Sequence, residues 1–205
     1  MDIHHRISAF LDSRKAQMLH LLEQLVCIQS GSGNKPGIDR VSRTIAPVMA
    51  DMGFACERIR QSDYGDHLIA RFSGTDPAGK PILLVGHMDT VFPEDTAFNF
   101  FRQDHTNCYG PGVADMKGGL VVGIFAIKAL WSVLKADQRP SLTFVFNSDE
   151  EIGSPSSSRI IRTLARESRM GLVLEAGGLN NEIVTSRKGN LSIRLDIQGQ
   201  AGHAA

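Results

Sequence analysis

Pro81-Ile82-Leu83-Leu84-Val85-Gly86-His87-Met88-Asp89-Thr90 is a near-continuous apolar run that ends in a histidine and a carboxylate. Short apolar runs with β-branched or aromatic members read as strands buried on both faces, as in a parallel sheet. Two later stretches repeat the pattern: Leu142-Thr143-Phe144-Val145-Phe146-Asn147 and Gly171-Leu172-Val173-Leu174. Between the first two runs lies Met116 to Leu134, dense in Leu, Val, Ile and Ala. Between the last two lies Ser156 to Glu167, with Ile160, Ile161 and Leu164 at helical spacing. Strand, helix, strand, helix, strand predicts an α/β fold, a mixed and mainly parallel sheet between helices.

Upstream, Ile3, Ile7, Phe10, Leu11, Met18, Leu21, Leu22 and Leu25 recur every three or four residues and predict a long amphipathic helix. Ser30-Gly31-Ser32-Gly33-Asn34-Lys35-Pro36-Gly37 breaks it. Ile38, Val41, Ile45, Val48 and Met52 then outline a second helix, with Pro47 inside as a kink. Phe54 to Ile59 and His67 to Phe72 alternate more and read as strands nearer the sheet edge. At the other end, Ile183 to Arg187 and Asn190 to Gln198 flank Lys188-Gly189 like the arms of a hairpin. The alternating Leu191, Ile193, Leu195 and Ile197 predict a strand with one face covered.

Lys and Arg number 22, as do Asp and Glu, so the formal charge is zero. Binding to nucleic acid or to an anionic membrane rests on excess basic residues, and neither partner is expected. The longest apolar runs fall short of the ~20 residues a membrane span needs. The N-terminus lacks the unbroken apolar core of a signal peptide, so a cytoplasmic location is expected. Cys27, Cys56 and Cys108 are widely spaced, form no C-x-x-C pair and read as reduced, mostly buried thiols.

Two motif resemblances fail at a defining position, and a third motif is absent. Gly74 to Lys80 opens like a phosphate-binding loop, but Pro81 stands where Ser or Thr must hold magnesium, and a strand follows instead of a helix. Gly31-Ser32-Gly33 follows a helix and has Pro36 at the third glycine position of a dinucleotide fingerprint. Gly-x-Ser-x-Gly is absent, which weakens any serine-hydrolase reading.

Chemistry gathers beyond the strand ends. After Ile82 to Val85 come His87 and Asp89; after Leu142 to Phe146 come Ser148-Asp149-Glu150-Glu151; after Leu172 to Leu174 comes Glu175. Ligands of open α/β sheets bind beyond the carboxyl ends of the strands, so these residues are expected to meet at one edge. Asp115 joins them from the start of the third helix. Gly118 and Gly119, costly inside a helix, suggest close backbone approach there. Taken singly, each has an ordinary reading: a loop histidine, a helix N-cap, an acidic first turn. Together they put several negative charges in one partly desolvated pocket, which divalent cations would compensate. Imidazole plus carboxylate without thiolate suits zinc, with cobalt or manganese as substitutes.

His87-Met88-Asp89-Thr90-Val91, Gly112-Val113-Ala114-Asp115-Met116-Lys117-Gly118-Gly119, Asp149-Glu150-Glu151-Ile152-Gly153-Ser154, Leu174-Glu175 and Gly202-His203-Ala204-Ala205 together resemble the aminoacylase and glutamate carboxypeptidase family of co-catalytic zinc enzymes. The resemblance implies two Zn2+ per complete site, with Co2+ or Mn2+ as alternatives. His87 and Glu175 would hold one metal, Asp115 would bridge, and Glu151 would bind the second. Glu150 would be the general base, Asp89 would orient the His87 ring, and His203 would help stabilise the tetrahedral intermediate, often in the site of a partner subunit.

The same resemblance implies residues 1–185 as the catalytic domain, lacking its closing part, and 186–205 as the first strands of an α+β lid or dimerisation domain. Its last ligand to the second metal, a histidine, would lie beyond Ala205. An amino-terminal fragment of an amide hydrolase is therefore expected, acting on a peptide or N-acyl amino acid beside a free carboxylate and homodimeric when complete. Two alternatives stay open: a non-catalytic metal-binding or inactive truncated domain, and a single-metal hydrolase using His87, Asp115 and Glu175.

Overall fold

The computed structural model describes residues 2–75, 79–178, 182–186, 188–189, 191, 193–196 and 198–199. Five strands form the main sheet: β1 (Ala55–Ile59), β2 (His67–Phe72), β3 (Ile82–His87), β6 (Leu142–Asn147) and β7 (Met170–Val173), in the order β1-β2-β6-β3-β7. Two strands of two residues each, β4 (Arg102–Gln103) and β5 (Cys108–Tyr109), make a separate hairpin. Among the described residues the α-helices are α1 (Ile3–Val26), α2 (Lys35–Ala50), α3 (Lys117–Val133) and α4 (Ser158–Glu167).

The sheet is mixed. β3 runs parallel to β6 and β7, whereas β2 runs antiparallel to β6 and β1. Parallel pairing sets Ile82 opposite Leu142 and His87 opposite Asn147, so β3 and β6 end level. The segments that leave them, Met88-Asp89 and Ser148 to Glu151, therefore emerge side by side.

Period-two alternation divides the core between the faces. Leu68, Ala70, Leu84, Leu142, Phe144 and Phe146 point to one face, which α1, α2 and α3 cover; Phe144 and Phe146 stack with ring centroids 3.9 Å apart. Ile69, Leu83, Val85 and Val145 point to the other, where Ile160, Ile161 and Leu164 of α4 pack. All six residues of β6 are buried. α1 packs through its last turns, at Leu21, Leu22, Leu25 and Val26. Asn34 caps α2 by accepting the Gly37 N–H at 2.9 Å, and the helix runs through Pro47 to Ala50.

Two expectations need correction. Gly171 to Leu174 is not buried on both faces: β7 is the strand beyond β3, and Met170, Leu172 and Val173 are exposed. An apolar run cannot report whether its strand has one neighbour or two. Cys27 and Cys56 are exposed and Cys108 is half-buried, because Cys27 falls at the C-cap of α1 and Cys56 lies on the exposed edge strand β1. Of the expected hairpin, Arg187, Asn190, Ser192 and Ile197 lie outside the described residues; among those described, Leu191, Ile193 and Leu195 are exposed. Among the described residues no helix is long and apolar enough to cross a membrane.

Candidate metal centre

His87 is the last residue of β3 and almost wholly buried. Its Nδ1 lies 3.0 Å from the Asp89 carbonyl oxygen and 3.3 Å from Asp89 Oδ1. Those acceptors hold a proton on Nδ1 and turn Nε2 outward, which is the arrangement of a metal-ligating histidine. Nε2 lies 2.9 Å from Asp115 Oδ1, 3.4 Å from Glu175 Oε1 and 3.9 Å from Glu150 Oε2.

Asp89 is fully buried and gathers three partners. Its Oδ1 accepts the Glu150 N–H at 3.2 Å, and its Oδ2 accepts the Glu151 N–H at 3.2 Å and the Ser32 hydroxyl at 2.8 Å. One carboxylate thus fixes the His87 ring and the backbone that presents both glutamates. Asp149, also fully buried, secures the far side of the same turn. It accepts the N–H and hydroxyl of Ser156, both at 2.7 Å, and those of Ser157 at 3.1 and 2.5 Å. Burial pushes the Asp149 carboxyl up, but these hydrogen bonds outweigh it and hold the group below the usual carboxylate range.

Asp115 comes from the turn that opens α3, and the following residue, Met116, is buried with its sulfur 3.0 Å from the His87 backbone nitrogen. Glu175 arrives from the end of β7. The Leu174 N–H donates to the Val85 carbonyl at 2.9 Å, and the Leu174 carbonyl lies so close to Gly119 that a Cβ there would collide with it. Gly119 therefore admits the strand end that carries Glu175 to the first turn of α3.

The side chains fall into two groups that share His87: His87, Glu150 and Glu175, and His87, Asp115 and Glu151, with ligand atoms in each within 4.8 Å of one another. Ligand atoms on one tetrahedral zinc stand about 3.4 Å apart, so small side-chain movements would close either group. The cleft above them has a volume of about 970 Å³, and no Lys or Arg appears among the described residues that line it.

The electrostatics fit a cation. Burial, then the Asp115 charge, pushes the Glu151 carboxyl up to about 7. Burial, together with the neighbouring carboxylates, also raises Glu150 despite the opposing effect of His87. Burial alone would lower His87, but hydrogen bonds and charge from Asp89 and Glu175 overcome it and raise the imidazole to about 11. In the metal-free chain a proton on His87 is what offsets the crowded carboxylates. Nitrogen and oxygen donors around that surplus of negative charge form a donor set for a borderline divalent metal.

The structure brings His87, Asp89, Asp115, Glu150, Glu151 and Glu175 together at one sheet edge. His203 and Arg187 lie outside the described residues. Sequence reasoning gave no role to Ser32, Asp149 or Lys117. Lys117 is wholly buried, its Nζ donates to the Ile28 carbonyl at 2.8 Å, and burial pulls its ammonium down to about 7. Asp149 and Lys117 stand close in sequence to residues already singled out, whereas Ser32 has no such signal.

The fold and site define an α/β domain of the carboxylate–histidine metal-site class. Its solved neighbours share that fold: human carnosine dipeptidase 1 superposes over 82% of this chain and 40% of its own, with a TM-score of 0.70 at 17% identity. Among sequence relatives, carboxypeptidase G2 of Pseudomonas sp. (strain RS-16) is 31% identical over 91% of this chain and 45% of its own length. Succinyl-diaminopimelate desuccinylase of Acidovorax ebreus (strain TPSY) is 28% identical over 91% and 52%. The family model of peptidase family M20/M25/M40 matches residues 83–200, and the chain belongs to that family. It spans about half the length of these curated relatives.

Proposed function

We propose that this chain supplies the metal-binding half of a zinc-dependent hydrolase that cleaves an amide bond beside a free carboxylate, of carboxypeptidase or N-acyl-amino-acid deacylase type. The observation that carries the reading is the meeting of His87 Nε2 with Asp115, Glu150 and Glu175 at the joined ends of β3, β6 and β7. The names of the relatives, a carboxypeptidase and a desuccinylase, support that class of substrate.

In this reading His87 and Glu175 would hold one divalent ion, Glu151 would hold a second, and Asp115 would be shared between them. Bound divalent cations lower the pKa of water and polarise a scissile carbonyl. Asp89 holds the His87 ring through Nδ1 and the turn through the two glutamate amides. Glu150 is the general base. Its carboxyl is half-exposed, raised from its ordinary value and 3.9 Å from His87 Nε2, so it can take the proton of an attacking water and return it to the leaving amine. Residues 1–185 form the catalytic domain and 186–205 begin a lid that carries His203, with a homodimeric, cytoplasmic enzyme as the complete form.

Glu150→Gln in the complete protein tests the reading. Hydrolysis of N-acyl amino acids or dipeptides should fall by roughly 10²–10⁴-fold while zinc still binds. Unchanged turnover would refute the role of Glu150. Metal binding without any hydrolysis in the wild type would leave a metal-binding domain instead.

A further inference from the structure

We propose that the connector between α1 and α2, Ile28 to Ser32, is a positioning element of the metal centre, with Lys117 and Ser32 as its two working contacts; this rests on the metal-binding reading above.

A buried ammonium is costly unless a partner answers it. Lys117 is 0% exposed, and its Nζ donates to the Ile28 carbonyl at 2.8 Å. That carbonyl follows the C-cap of α1, where the helix dipole presents negative charge and α1 has no basic residue of its own in its last turn. Lys117 stands two residues after Asp115, so the contact ties the turn bearing Asp115 to the start of the connector.

The connector then runs along the segment that follows β3. The Ser30 hydroxyl donates to the Met88 carbonyl at 2.9 Å, the Thr90 N–H donates to the Ser30 carbonyl at 2.9 Å, and the Ser32 N–H donates to the Thr90 carbonyl at 3.1 Å. Gly31 lies so close to this segment that a Cβ would collide with the Phe92 carbonyl oxygen, which requires glycine there. At its far end the Ser32 hydroxyl donates to Asp89 Oδ2 at 2.8 Å, the same oxygen that accepts the Glu151 N–H.

Five residues thus join the two halves of the site. Asp115 is tied through Lys117 at one end; Asp89, and with it His87, Glu150 and Glu151, is tied through Ser32 at the other. The connector fixes the separation between Asp115 and the Asp89-held group, on which simultaneous ligation depends. Lys117 and Ser32 are positioning residues, since neither reaches the ligand atoms.

Zinc titration calorimetry on the full chain tests this with S32A, S32T, K117M and the double variant S32A/K117M. Removing a partner that orients ligands typically costs 10–100-fold in metal affinity, so S32A and K117M should each weaken zinc binding by roughly tenfold or more. S32T keeps the hydroxyl and should restore binding to within about twofold of wild type. Because both contacts act through one segment, the double variant should lose less than the product of the single losses. The zinc-free melting temperature is read in parallel.

Unchanged zinc affinity in S32A and K117M, with or without a lowered zinc-free melting temperature, overturns the proposal. So does a fully multiplicative double variant. Should K117M fail to fold, S32A against S32T decides. A wild-type chain that binds no zinc overturns the metal reading and the connector's role with it, whereas variants that bind as a zinc-binding wild type does overturn the connector alone.

Discussion

His87 Nε2 lies 2.9 Å from Asp115 Oδ1, joining the end of β3 to the turn that opens α3. The two partners differ in freedom: the His87 side chain is 1% exposed and that of Asp115 is 64% exposed. The imidazole is thus a fixed post, and the carboxylate can swing. In the metal-free chain a proton holds them together, and metal must displace that proton to bind.

Zinc affinity should therefore rise with pH. His87, raised to about 11, stays protonated throughout the neutral range and must release one proton on metal binding. Glu151, raised to about 7, adds a second proton only below that pH. The sign follows from competition, since each proton to be displaced weakens binding as pH falls. The dissociation constant should fall about tenfold per pH unit between pH 7 and 8, and more steeply between pH 6 and 7. Calorimetry in buffers of different ionisation enthalpy reads the proton count directly, and a pH-independent affinity would contradict the assigned ligands.

Gly119→Ala should destabilise the chain. In an open helix this change gains up to about 1 kcal/mol. Here the added methyl meets the Leu174 carbonyl, so the sign reverses and roughly 1–3 kcal/mol is lost as β7 and α3 move apart. Urea denaturation followed by the fluorescence of Trp131, the single tryptophan, measures it. Zinc affinity should drop with it, because Glu175 is carried on the displaced strand end.

Asp149→Ala tests the buried brace of the glutamate turn. The substitution leaves the N–H groups and hydroxyls of Ser156 and Ser157 without the acceptor they share, at a cost of about 3 kcal/mol. The same denaturation experiment checks this, and a loss below about 0.5 kcal/mol would show that the turn holds without it.

Much of this was legible before the structure because the signals were local. β2 and β6 begin and end where the apolar patterns do, and the level ends of β3 and β6 follow from their parallel pairing. The convergence of His87, Asp115, Glu150, Glu151 and Glu175 was readable because each lies beside an element whose end could be placed: Asp115 before α3, the others after strands. What escaped depends on three-dimensional neighbours. The run at Leu172 looks like a core strand, yet β7 has β3 on one side and, among the described residues, no strand beyond it in the sheet order. Nothing in the sequence around Lys117 marks it as buried, yet it is wholly buried with its Nζ on the Ile28 carbonyl. Ser32 sits in a stretch that reads only as a helix breaker, and its partner Asp89 is 57 residues away.

The most direct test of the metal centre is zinc titration calorimetry of the wild-type chain against His87→Ala at pH 7.5. His87 belongs to both groups of neighbouring ligand atoms and is assigned to the first ion, so its loss should weaken binding of that ion by about 100-fold or more and abolish the release of the proton it holds. Equal affinity and equal proton release in the two proteins would contradict the account, because zinc would then be held somewhere other than the joined ends of β3, β6 and β7.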